Sequence, residues 1–156
     1  MKDGDVIQIA QVVRDIDKTM KYYWEIFGIG PWDVYTFKPG TVRDQMVHGK
    51  PSDIVYLVAI TWRGDVQYEL MQPVKGRSIY DECLETKGEG LHHIKLYYKD
   101  CQSALKKFKE KGVEVIQSGK IDEDEFYYLD TEKALGYVIE IGNNGAIRAP
   151  ERRYPA

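Results

Sequence analysis

The sequence predicts an α+β fold in which two tandem βαβββ units close a shared surface between them. Three observations carry this. The order strand, helix, strand, strand, strand is legible twice along the chain. A single offset of 85 residues superposes the two starts, matching Gln8 with His93, Asp15 with Asp100, Met20 with Leu105 and Tyr23 with Phe108. The length of 156 residues suits one domain or two small, intimately packed halves, and excludes two large domains.

The first unit opens at residues 6–13, where β-branched residues dominate and no breaker intervenes, the composition of a strand. Asp15 is placed to cap a helix whose stripe is Ile16, Met20, Tyr23, Trp24 and Phe27, and Gly28 ends it. After Gly28-Ile29-Gly30-Pro31, strand-like runs follow at about 31–38, 53–62 and 66–73, the last two joined by the hairpin signal Arg63-Gly64-Asp65. A linking helix is expected at about 77–87. The second unit then runs through a strand from Leu91 to Tyr98, a cap at Asp100, and a helix with Cys101, Ala104, Leu105 and Phe108 on one stripe up to Gly112. Strands are expected at about 113–118, 125–129 and 136–142.

Composition excludes several classes of function. With 22 Lys and Arg against 25 Asp and Glu, a net charge of −3, the chain lacks the positive field that binds phosphate backbones, so nucleic acid is not an expected partner. No apolar run approaches the roughly 20 residues of a membrane span, and Met1-Lys2-Asp3-Gly4-Asp5 is not followed by a signal-like apolar stretch. A soluble, cytoplasmic protein is expected. Cys83 and Cys101 have neither CxxC spacing nor the density of a disulfide framework, and read as free thiols.

Four polar residues interrupt otherwise apolar strands: Gln8 between Ile7 and Ile9, Glu69 between Tyr68 and Leu70, His93 before Ile94, and Glu140 between Ile139 and Ile141. In a buried strand each needs a partner, because an unsatisfied amide or carboxylate costs several kcal/mol. In a half-exposed strand each would simply face solvent. Two lie on the first strand of a unit and two on the last, so the duplication brings all four to one place. An imidazole, two carboxylates and an amide oxygen form a nitrogen and oxygen donor set for one divalent ion, with Zn²⁺, Ni²⁺, Co²⁺, Mn²⁺ and Fe²⁺ all suited.

Strand 6–13, the run Asp15 to Tyr23, Phe27-Gly28, Gly90-Leu91-His92-His93-Ile94 and Tyr137-Val138-Ile139-Glu140 together resemble the vicinal oxygen chelate superfamily, in its glyoxalase I and methylmalonyl-CoA epimerase branch. The resemblance spans about residues 6–142. It implies a single domain over 5–142, of modules at about 5–74 and 90–142, forming a curved mixed sheet around a shared cleft, with 143–156 as a tail. It further implies metal ligation by Gln8, Glu69, His93 and Glu140, with Glu140 as the proton shuttle and Glu69 as a ligand or second base. The implied activity is that of a metal-dependent isomerase or lyase acting next to a carbonyl or thioester of a small substrate, either a 2-oxo compound or an acyl-CoA thioester. A metal-free small-molecule binder, as in the antibiotic-sequestering members, is the alternative, and Gln8 argues against an iron dioxygenase. Val12 and Pro73 stand where glyoxalase I has the Arg and Asn that grip glutathione, which speaks against a glutathione adduct. Tyr56 is the nearest counterpart of the second base of the epimerases. Exposed sheet edges make a homodimer the expected assembly.

The remaining polar and aromatic features carry plainer expectations. Strand alternation places His92 opposite His93, as a packing or surface residue. His48 falls in a solvated loop, and Asp122-Glu123-Asp124-Glu125 reads as a solvated turn. Trp32, Tyr35 and Tyr56 either pack the core or line an aromatic pocket. The tail, with Arg148, Arg152 and Arg153, is either a free terminus or a flap over the pocket that meets an anionic group.

Overall fold

The computed structural model describes residues 1–156. Helix starts are set by local chemistry. Asp15 accepts a hydrogen bond from the Lys18 amide to open α1 (Ile16–Phe27), which ends at Gly28 with φ 63°. Ser78 and Asp81 form a reciprocal capping box on α2 (Ile79–Thr86), and Asp100 caps α3 (Cys101–Glu110) through the Ser103 amide. The first unit contributes β1 (Val6–Val12), β2 (Trp32–Phe37), a small hairpin of β3 (Arg43–Val47) and β4 (Lys50–Pro51), β5 (Val55–Arg63) and β6 (Val66–Lys75). The second contributes β7 (Gly90–Tyr97), β8 (Val115–Ile121), β9 (Asp124–Leu129), α4 (Glu132–Leu135) and β10 (Val138–Gly142), and the tail adds β11 (Arg152–Tyr154).

All the strands join one mixed sheet in the order β11-β2-β5-β6-β1-β7-β10-β9-β8-β3-β4. The two first strands, β1 and β7, pair antiparallel at its centre, and each pairs on its other side with the last strand of its own unit, β6 or β10, in parallel. The sheet is therefore nearly symmetric about the β1–β7 seam. Its largest core cluster runs from Ala10 and Val12 through Tyr35, Phe37 and Tyr56 to Tyr80, Phe126 and Tyr128, while smaller clusters lie under α1 and α3.

Three parts of the chain differ from the sequence expectations. Residues 39–52, which lie between two expected strands and include the loop assigned to His48, contain the β3–β4 hairpin, which leaves its own unit and pairs through β3 with β8 of the other. The insertion explains why the offset of 85 between Gln8 and His93 shrinks to 71 between Glu69 and Glu140. A short helix, α4, fills the link between the expected strands at 125–129 and 136–142, where no element was expected. The tail is neither free nor a flap that captures an anion: β11 pairs with β2, and Arg148, Arg152 and Arg153 are taken up by Asp122, Asp17 and Asp33 at 2.6–2.9 Å. No helix is long and apolar enough to cross a membrane.

Candidate metal centre

The four central strands β6, β1, β7 and β10 each aim one polar side chain at a common point. One ligand-type atom from each of Glu69, His93 and Glu140 lies within 4.8 Å of the others. Nε2 of His93 stands 2.8 Å from Glu140 Oε2, 3.4 Å from Glu69 Oε1 and 3.2 Å from the amide oxygen of Gln8. Gln8 spends its N–H groups elsewhere, on Glu69 Oε2 at 3.1 Å and on Gln67 Oε1, which turns its carbonyl oxygen inward. The structure thus brings together all four residues singled out in the sequence.

Glu140 Oε2 is buried and accepts no hydrogen bond of acceptable geometry, despite its closeness to His93. Its nearest neighbour, His93 Nε2 at 2.8 Å, lies off the line of a good hydrogen bond. This orphaned oxygen, with the inward amide oxygen and one imidazole, fits a borderline divalent ion.

The electrostatics follow from burial and neighbours. Burial alone would push the His93 imidazole down, but Glu140 and Glu69 overcome it and hold the ring's pKa at about 9. Burial raises the Glu69 carboxyl, and His93 only partly offsets it. For Glu140 the balance reverses: the cations Lys95 and His93 outweigh burial and hold it below the usual carboxylate range. His92 is driven well below its ordinary value by burial, with the neighbouring His93 adding to the effect, and is neutral. Burial holds the Tyr56 phenol well above its ordinary pKa, so it stays protonated.

Lys95 was missed in the sequence. It is only 7% exposed, and its ammonium lies 3.5 Å from both Glu140 Oε1 and Asp124 Oδ2. The signal was there: a lysine between Ile94 and Leu96, two residues past His93 and on the same side of β7. Asp124, expected in a solvated turn, is instead mostly buried against it. His92, expected opposite His93, lies on the same side. In the β1–β7 ladder Ala10 faces His93 and Gln11 faces Leu91, so His92 is the extra residue of a bulge, and a bulge breaks strict alternation. His48 sits at the surface against Glu82, as expected.

Gln8, Glu69 and Glu140, with Lys95, line a cavity of about 270 Å³ whose other walls include Tyr35, Phe37, Tyr56, Ile60, Phe126 and Ile147, while His93 is buried behind them. Trp32 takes no part in it; fully buried, it packs beneath α1 against Tyr23. Trp62 from the end of β5 lies at the cavity instead. Val12 is a core residue and Pro73 lies opposite Tyr56, so neither offers a polar handle.

The family model of the glyoxalase/bleomycin resistance protein/dioxygenase superfamily matches residues 7–128. The chain belongs to that superfamily. No curated protein is detectably similar in sequence. Among solved structures, a methylmalonyl-CoA epimerase in complex with methylmalonyl-CoA and NH₄⁺ is similar with a TM-score of 0.70 at 17% identity, covering 96% of this chain and 100% of that one. A hypothetical protein from Bacillus halodurans C-125 has a TM-score of 0.71 at 19% identity, covering 94% and 99%. The methylmalonyl-CoA epimerase from Mycobacterium tuberculosis has a TM-score of 0.66 at 16% identity, covering 92% and 89%. At such identities these likenesses show the superfamily's fold.

Proposed function

We propose that this member of the superfamily is a divalent-metal-dependent isomerase or lyase that moves a proton on the carbon next to a carbonyl or thioester. The observation that carries the proposal is the convergence of Gln8, Glu69, His93 and Glu140, with one orphaned carboxylate oxygen, at a cavity lined by Gln8, Glu69 and Glu140 together with aromatic and aliphatic groups. A bound dication would supply Lewis acidity toward a substrate oxygen. The chain's residues divide the remaining work. His93 and Gln8 would hold the metal position, and Glu140, with His93 Nε2 at 2.8 Å from one oxygen and the Lys95 ammonium at 3.5 Å from the other, would stay an anchored ligand. Glu69 is held by neutral Gln8 and, more distantly, by His93, which leaves it the freer carboxylate and the better proton acceptor. This moves the shuttle role from Glu140 to Glu69.

A cavity of about 270 Å³ takes a 2-oxo acid or the acyl part of a CoA thioester, with any larger carrier outside it. The superfamily likeness to methylmalonyl-CoA epimerases supports the thioester alternative. A homodimer is part of the proposal, and sedimentation showing only monomer at micromolar concentration would remove that part. Metal analysis comes first: one equivalent of a divalent ion supports the enzyme, whereas metal-free protein that cannot be loaded supports a binder built on the existing ion pairs. In loaded protein, Glu69→Gln is expected to keep the metal and lose solvent deuterium exchange into substrate by at least about a hundredfold. Wild-type exchange in that variant would return the role to Glu140.

A further inference from the structure

We propose that His92 is a positioning residue: it accepts the Nδ1 proton of His93, so that this ring keeps its Nδ1–H and turns Nε2 to the cluster as the nitrogen that would give up its proton to a metal ion. The role rests on the metal-dependent reading above, and the evidence for it is separate. The β7 bulge turns two consecutive histidines to one side, so their Nδ1 atoms lie 2.8 Å apart. Between two imidazole nitrogens at that distance there is room for one proton. On the far side of its ring, His93 Nε2 meets Gln8 Oε1, Glu69 Oε1 and Glu140 Oε2. A ligating imidazole must keep Nε2 free of hydrogen, which places its proton on Nδ1 and requires an acceptor there.

A metal-bound histidine ordinarily finds that acceptor in a carboxylate or a backbone carbonyl. Here it is a second imidazole, which must accept at Nδ1 and carry its own hydrogen on Nε2. The His92 ring is held for this task. It is 4% exposed and packed edge-on against Tyr80 and Tyr128, with ring centroids 5.5 Å and 6.1 Å away, and those two hydroxyls are themselves joined at 2.6 Å. His92 does not line the cavity, so it acts only through His93.

Two substitutions separate this role from simple packing. His92→Phe keeps the ring and removes the acceptor; His92→Asn loses the ring but can present an amide oxygen near the Nδ1 position. In metal-free protein, long-range ¹H–¹⁵N spectra should show a slowly exchanging His93 Nδ1–H in the wild type and in His92→Asn, and not in His92→Phe. Titration with Co²⁺ should show affinity about 10- to 100-fold weaker in His92→Phe and within about threefold of wild type in His92→Asn. Slow Nδ1–H exchange and wild-type Co²⁺ affinity in His92→Phe would overturn the proposal. Loss of both in His92→Asn as well as His92→Phe, with folding intact, would also overturn it in favour of packing. A wild-type chain that binds no Co²⁺ would fail the metal reading itself, and the metal-free spectra would then decide the role of His92 alone.

Discussion

Replacing Lys95 by methionine tests how the site carries its buried charges. The ammonium is 3.5 Å from Asp124 Oδ2 and from Glu140 Oε1, and the three side chains are 9%, 12% and 4% exposed. At that separation each pair attracts by about 5 kcal/mol if the effective dielectric constant is about 20. Desolvation of each ion costs several kcal/mol, so the assembled trio contributes little net stability, yet it is expensive to break. Lys95→Met leaves Glu140 with His93, but leaves Asp124 with a Gly145 N–H and no cation. The expected loss is about 3–5 kcal/mol of unfolding free energy, the usual result of orphaning a buried charge. The double variant Lys95→Met/Asp124→Asn removes the stranded charge as well, and should return to within about 2 kcal/mol of wild type. Urea unfolding of the metal-free chain, with an unchanged denaturant slope, measures each corner of the cycle. Lys95→Met within about 1 kcal/mol of wild type, or a double variant that loses the sum of the singles, would refute the reasoning.

Two further outcomes follow from the same site. Because the folded pKa of His93, about 9, lies above its unfolded value of 6.5, the stability it contributes is fully present below pH 6.5 and disappears as pH rises through 9. The unfolding free energy of metal-free protein should therefore fall between pH 6.5 and 9.5 by up to about 3 kcal/mol more than that of His93→Phe, and parallel pH profiles would refute the assignment. Gly142 ends β10 where the Lys95 stem passes: a Cβ there would meet Lys95 Cε at 2.4 Å and the Glu125 carbonyl oxygen at 2.7 Å. Gly142→Ala should cost about 1–3 kcal/mol by thermal unfolding, and an unchanged melting temperature would show that the Lys95 pocket is looser than the structure has it.

What the sequence by itself determined is what short-range physics controls. Helix caps at Asp15 and Asp100, the stop at Gly28 and the apolar stripes depend on neighbours within a few residues, and they were readable directly. The repeat was readable for the same reason, since two copies of one local pattern share a register. From the repeat came the meeting of Gln8, Glu69, His93 and Glu140, because first and last strands of equivalent units must come together at the seam. What only the tertiary structure decided depends on which distant strands pair. The β3–β4 hairpin finds its partner in β8, whose pairing energy is invisible in residues 39–52. The tail becomes β11 because the edge of β2 offers unpaired backbone groups and Asp33 meets Arg153. His92 turns to the side of His93 only because the β1–β7 ladder admits one extra residue, and Asp124 is buried only because Lys95 reaches it from another strand. A side chain's surroundings in a sheet are set by residues tens of positions away, so alternation along one strand proposes a face and the partner strand decides it.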